Sequence, residues 1–153
     1  MPSPCSPLSK TPTQVIFNVI NILTLLPIAY KCFESSPEGL AIHADAAAVN
    51  LNLWITPDEA NQDKHGNSGG LAVYLSQTLP KHWTFQQMNQ LGSNIDSIRS
   101  FLKETNSEKV VIPYKQNRAV IFHSRLFHES VKFNFKKGYR NARINLTFLF
   151  GYK

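Results

Sequence analysis

Residues 49–55 alternate, with Val49, Leu51, Leu53 and Ile55 on one side and Asn50, Asn52 and Trp54 on the other. Period two marks a strand with one core face. Residues 40–43 read as a short strand, and Gly69 and Gly70 open another through Leu71, Val73 and Leu75. Further strands are expected over Val110–Tyr114, Ala119–Phe122, Val131–Phe135 and Ile144–Phe150. One stretch has helical spacing. Phe85, Met88, Leu91, Ile95, Ile98 and Leu102 recur at three- and four-residue steps within Thr84–Thr105, with Gly92 and Ser93 as a break and Asn106 and Ser107 as the end. Residues 56–59 form a turn or begin a short helix, and 61–68 form a polar loop. About seven short strands and one helical excursion result, with no helix between successive strands. This excludes a doubly wound α/β fold and predicts a mostly β, jelly-roll barrel with one helical insertion.

The N-terminal stretch is different. Residues 1–14 are rich in Pro, Ser and Thr and read as a disordered lead-in. Residues 15–30 are apolar but interrupted by Asn18, Asn21, Thr24 and Pro27, and read as a packed or surface helix. The stretch is short for a membrane span, and its asparagines argue against one. Only Lys10 precedes it as a charge, and no clean small-x-small cleavage site follows, so a signal peptide lacks support.

With 153 residues and 42% hydrophobic content, the chain suits one domain with a packed core. The net charge of +6 is unevenly distributed. Residues 1–110 hold seven Lys or Arg against nine Asp or Glu, whereas 111–153 hold nine basic residues against Glu129 alone. The basic residues alternate with apolar ones, as on a solvated sheet face carrying an anion-binding Arg. Without a recognised aromatic platform motif or zinc finger, nucleic acid is not the expected partner. Cys5 and Cys32 make no disulfide framework or C-x-x-C pair, and reduced thiols in the cytoplasm are expected.

His43-Ala44-Asp45 is the first chemical anchor. On extended backbone, residues i and i+2 point to one side, so an imidazole and a carboxylate can meet one ion. A distant histidine would complete two-His-one-carboxylate ligation, which suits non-haem Fe(II) because it leaves coordination positions open. His128, in Leu126-Phe127-His128-Glu129, and His123 are the candidates; His65 and His82 lie in a loop and at a loop edge. Arg143, at the head of the apolar strand, could offer a bidentate fork to a carboxylate, with Arg140 as its rival.

The chain from Gly39 onward resembles the 2-oxoglutarate/Fe(II)-dependent dioxygenase-like family. The matching stretches are Ile42-His43-Ala44-Asp45-Ala46-Ala47-Ala48-Val49-Asn50, Trp54-Ile55-Thr56-Pro57-Asp58-Glu59-Ala60-Asn61 and Gly69-Gly70-Leu71. They continue with Val111-Ile112-Pro113-Tyr114, Gln116-Asn117-Arg118-Ala119-Val120-Ile121-Phe122, Leu126-Phe127-His128-Glu129, Arg143-Ile144-Asn145-Leu146-Thr147 and Gly151. The resemblance implies a double-stranded β-helix (a cupin-like jelly roll), with His43, Asp45 and His128 as iron ligands and Arg143 as the 2-oxoglutarate anchor. It favours His128 over His123, where members usually carry Asp or Asn. Ala142 stands where a second Arg is usual, Arg125 replaces a residue that is usually acidic or amide, and Ser130 replaces Thr.

The implied activity is Fe(II)- and 2-oxoglutarate-dependent hydroxylation of a substrate the sequence does not specify, using dioxygen. Asn50, Asn52, Trp54 and Tyr74 are expected in the surrounding shell, and Asn145 and Thr147 are expected to bond the co-substrate. Members carry a longer region upstream. Residues 1–29 are therefore expected to be a divergent segment, and 30–153 a barrel incomplete on its N-terminal side, with an open edge that a protein partner could cover. The alternative is a non-catalytic metal- or anion-binding jelly roll acting in protein interaction.

Overall fold

The computed structural model describes residues 5–7, 24–32, 35–36, 40–63, 68–75 and 95–151. The strands found there are β1 (Cys5–Pro7), β2 (Thr24–Cys32), β3 (Ser35–Ser36), β4 (Val49–Trp54), β5 (Leu71–Leu75), β6 (Glu108–Ile112), β7 (Ala119–His123), β8 (His128–Ser130), β9 (Phe133–Asn134) and β10 (Arg143–Phe150). Helix α1 (Ile95–Glu104) lies between β5 and β6, and single 3-10 turns occupy Asp58–Ala60 and Tyr139–Asn141. All strand pairs are antiparallel. A five-stranded sheet has the order β1-β2-β10-β4-β7, a three-stranded sheet the order β6-β5-β8, and β3 pairs with β9. The expected mostly β architecture is present. None of the sheets closes into a barrel among the described residues, and no described helix is long and apolar enough to cross a membrane.

The central strands face opposite to what hydrophobicity alone would choose. Along β4 it is Asn50, Asn52 and Trp54 that are buried, while Leu51 and Leu53 are half-buried and Val49 is exposed. Beside it, β10 buries Arg143, Asn145, Thr147 and Leu149. Register places Asn145 opposite Trp54, Thr147 opposite Asn52 and Leu149 opposite Asn50, so these residues share the inner face. Burying an amide is tolerable only where it finds hydrogen-bond partners, and those partners belong to the candidate site. The outer face keeps the aliphatic residues, with Ile121 of the edge strand β7 67% exposed.

Two apolar clusters frame this inner face. Trp54, Leu71, Val73, Tyr114, Phe133 and Phe135 pack together. Ile98 and Leu102, one turn apart on α1, pack with Ile42, Ala44 and Phe127. Gly70, at the entrance to β5, lets the backbones approach closely. A Cβ there would stand 2.0 Å from the Ile112 carbonyl oxygen and 2.9 Å from the Tyr114 nitrogen.

Four expectations change. Cys5–Pro7 is strand rather than part of a disordered lead-in, and residues 40–43 form no strand but hold the isolated bridge of His43 to His128. The helix expected over residues 15–30 is instead strand from Thr24, and this strand, β2, pairs with β10 along its length. Pro27 has no N–H to donate, and among the described residues no strand pairs with it on the β1 side, because β1 reaches only Tyr30–Cys32. Residues 8–23, and 84–94 of the expected helix, lie outside the described residues. The reduced thiol expected at Cys32 is disulfide-bonded, and Cys32 stands opposite Cys5 in the β1/β2 register.

Candidate metal centre

A single cross-strand bridge builds the site. His43 and His128 exchange both backbone hydrogen bonds, His43 N to His128 O at 3.0 Å and His128 N to His43 O at 2.9 Å. Side chains opposite each other in an antiparallel pair lie on one face, so the imidazoles stand side by side with ring centroids 4.3 Å apart. Two residues on, Asp45 returns to that face. Its backbone N–H, donated to Ser124 O at 3.0 Å, fixes it against the turn after β7.

Both rings are oriented in the same way. His43 Nδ1 lies 2.8 Å from Ala41 O, and His128 Nδ1 lies 3.0 Å from Leu126 O. A carbonyl oxygen can only accept, so Nδ1 carries the proton on each ring and the Nε2 lone pair is left for another partner. Both Nε2 atoms face Asp45, His128 at 3.3 Å from Oδ2 and His43 at 3.9 Å from Oδ1. Asn50, fully buried, donates through Nδ2 to Asp45 Oδ2 at 2.5 Å. Ser124 Oγ donates to Asn50 Oδ1 at 3.2 Å, completing a chain that orients the carboxylate. The ring of Phe122 packs edge-on against His128.

Burial lowers the pKa of His43, and the neighbouring His128 lowers it further. For Asp45, burial alone would raise the pKa, but the adjacent His128 and the Asn50 hydrogen bond hold it below the ordinary carboxylate range. Neutral imidazole and ionised carboxylate are the forms that ligate a metal.

The donor set fits an ion. The three ligand atoms all lie within 4.8 Å of one another. Donors about 2.1 Å from a common octahedral ion and at right angles lie roughly 3 Å apart, so small adjustments of these side chains would suffice. Two imidazoles and one carboxylate, with backbone carbonyls holding the far ring nitrogens, make a facial triad of the type used by non-haem Fe(II) oxygenases. His123 takes no part. It is exposed on β7, and its Nδ1 accepts from Arg125 N at 3.2 Å. His65 and His82 lie outside the described residues.

The triad opens on a cavity walled by Ile28, Leu40, Leu71 and Leu149 and by the polar side chains of Tyr30, Asn52, Ser130, Asn145 and Thr147. Three of these form one network: Thr147 Oγ1 donates to Asn52 Oδ1 at 2.7 Å, and Asn145 Nδ2 donates to Thr147 Oγ1 at 2.9 Å. Asn145 Oδ1 is buried with no partner among the described residues. Asn52, Asn145 and Thr147 are thus brought to the triad. Tyr74 is not: its hydroxyl donates to Glu129 Oε1 at 2.7 Å, and its ring packs on the α1 cluster. Trp54 belongs to the apolar core. Arg143 shares the inner face, one alternation (about 7 Å) along β10 from Asn145, but it does not line the cavity. Its side chain is 99% buried, Nε donates to Gly69 O at 2.6 Å, and one terminal nitrogen has no partner among the described residues. Burial pushes its pKa down to about 10.

Tyr30 is the cavity residue that sequence reasoning missed. It faces Asn145 across the β2/β10 ladder, a non-local pairing with no local signal. Burial and then the charge of Asp45 raise its phenol pKa.

No family model matches the chain, and no curated protein matches it. Among solved structures, the crystal structure of FeII HppE aligns at 9% identity with a TM-score of 0.33, covering 80% of this chain and 42% of that one. The chain therefore spans less than half the length of that protein, and the likeness is too slight to carry fold or activity over. The iron assignment rests on the donor set.

Proposed function

We propose that this chain is an Fe(II)- and 2-oxoglutarate-dependent oxygenase that hydroxylates a substrate, built on a double-stranded β-helix plan. The observation that supports it most is the convergence of two Nε2 lone pairs and one carboxylate on a single point. His43, Asp45 and His128 would hold the iron. The chemistry such a centre supplies is the reduction of dioxygen, with 2-oxoglutarate leaving as succinate and carbon dioxide and a substrate C–H becoming C–OH.

The remaining roles belong to the protein. Asn50 orients Asp45, and the Ala41 and Leu126 carbonyls fix both imidazole tautomers. Asn52, Asn145 and Thr147 offer hydrogen bonds to a co-substrate beside the ligands. Arg143, with a terminal nitrogen uncommitted and no carboxylate within ion-pair distance among the described residues, is a cation suited to the far carboxylate of a dicarboxylate. Aliphatic side chains line part of the cavity beside the ligands.

A second reading, a non-catalytic metal- or anion-binding module, is favoured by one observation: Arg143 gives its Nε to Gly69 and does not line the cavity. Succinate formation from 2-oxoglutarate, measured with and without added Fe(II), separates the two. Iron-dependent succinate, lost in H43A, supports the oxygenase. Absence of succinate from folded, iron-loaded protein supports the module.

A further inference from the structure

The turn leading into β10 sets an exposed aromatic ring among cations. Lys136, Lys137, Tyr139 and Arg140 are all exposed, Tyr139 by 74%. The turn is firmly held. Gly138 adopts φ 103°, a conformation in which a side chain would be strained. Asn141 N donates to Gly138 O at 3.0 Å, and Asn141 Nδ2 donates to Lys137 O at 2.7 Å. Lys136 N donates to Ala60 O at 2.8 Å, and Thr56 Oγ1 donates to Ala142 O at 2.7 Å, so both ends are anchored to the turn after β4. The ammonium of Lys31 stands over the Tyr139 ring, which leaves the opposite face of this exposed ring to solvent.

No carboxylate lies within ion-pair distance of Lys136, Lys137 or Arg140 among the described residues. The only acid in residues 111–153, Glu129, is held by Lys109 at 2.7 Å. A pre-formed turn with three exposed cations and an open aromatic face has the two components of a single-strand binding surface: charge for phosphates and a platform for a base. An acidic peptide would use the cations but leave the ring idle, and a duplex offers no unstacked base to a lone ring.

We propose that residues 136–141 bind single-stranded nucleic acid, with a base stacked on the open face of Tyr139 and phosphates beside Lys136, Lys137 and Arg140. The aromatic platform absent from the sequence as a motif is assembled by this turn. The surface is independent of the metal-centre reading.

The test uses the full chain, a short fluorescein-labelled oligothymidylate and anisotropy across a salt series. Binding at low salt should weaken as salt rises. Y139A should lose about tenfold in affinity at fixed salt, while Y139F stays within about twofold. K136A/K137A should flatten the log–log salt dependence by roughly one to one and a half. Circular dichroism melts and Fe(II) affinity matching the parent chain would show that the variants remain folded. The proposal is overturned by no binding at low salt, by Y139A equal to the parent, or by Y139F losing as much as Y139A. It is also overturned if Y139A weakens binding of base-free inorganic polyphosphate to the same extent, or if anionic vesicles or duplex bind more tightly than the single strand.

Discussion

At the residue scale, the site depends on a few orientations. His128 and His123 are five residues apart, yet only His128 bridges His43. H128A should therefore abolish tight Fe(II) binding in anaerobic equilibrium dialysis, whereas H123A should bind like the parent; the reverse would reject the assignment. Asn50 touches Asp45 rather than the proposed ion position. Partners that orient a ligand commonly contribute 10–100-fold in metal affinity, so N50A should weaken Fe(II) by about that factor and N50D should not restore it. Unchanged affinity in N50A would remove Asn50 from the site. Arg143 differs, because nothing ties it to the ligands. R143A should weaken 2-oxoglutarate binding far more than Fe(II) binding, measured by calorimetry with an inert divalent ion in place of iron. Equal effects on both would reject it as the anchor for the distal carboxylate.

At the element scale, β4 and β10 show what patterning can and cannot reveal. Alternation identified β4 and an apolar run marked β10, and i, i+2 geometry put His43 and Asp45 on one side. The direction of β4 follows from partners in other elements: Asn50 faces inward because Asp45 accepts from its amide, and Asn52 because its Oδ1 accepts from the Thr147 hydroxyl. Neither contact has a local signature. The strand at Thr24–Cys32 was hidden for the same reason, since its identity comes from pairing with β10 over a hundred residues away. Gly70 gives a test at this scale. Its missing side chain admits the Ile112 and Tyr114 backbone, and backbone cannot step aside as a flexible side chain can. G70A should destabilise the fold by about 2 kcal/mol or more, seen as a lowered urea midpoint. A midpoint equal to the parent would mean that β5 and β6 separate without cost.

At the scale of the whole molecule, the five-stranded sheet presents a polar row to the cavity and keeps much of its aliphatic surface outside, while the three-stranded sheet adds His128 and Ser130. That inversion marks the interior as a place for chemistry. The ligand set was legible in the sequence through His43-Ala44-Asp45 and the setting of His128, because strand geometry alone brings the first two together. Tyr30 required the assembled sheets; Lys136, Lys137, Tyr139 and Arg140 are neighbours in sequence, and only their exposure and the hold on their turn came from the structure. The most direct measurement is anaerobic titration of the purified chain with Fe(II) and then 2-oxoglutarate, recorded in the visible range. A weak charge-transfer band that needs both additions, and is lost in H43A, is the expected result; folded protein that gives no band after both additions would contradict a 2-oxoglutarate-dependent iron centre.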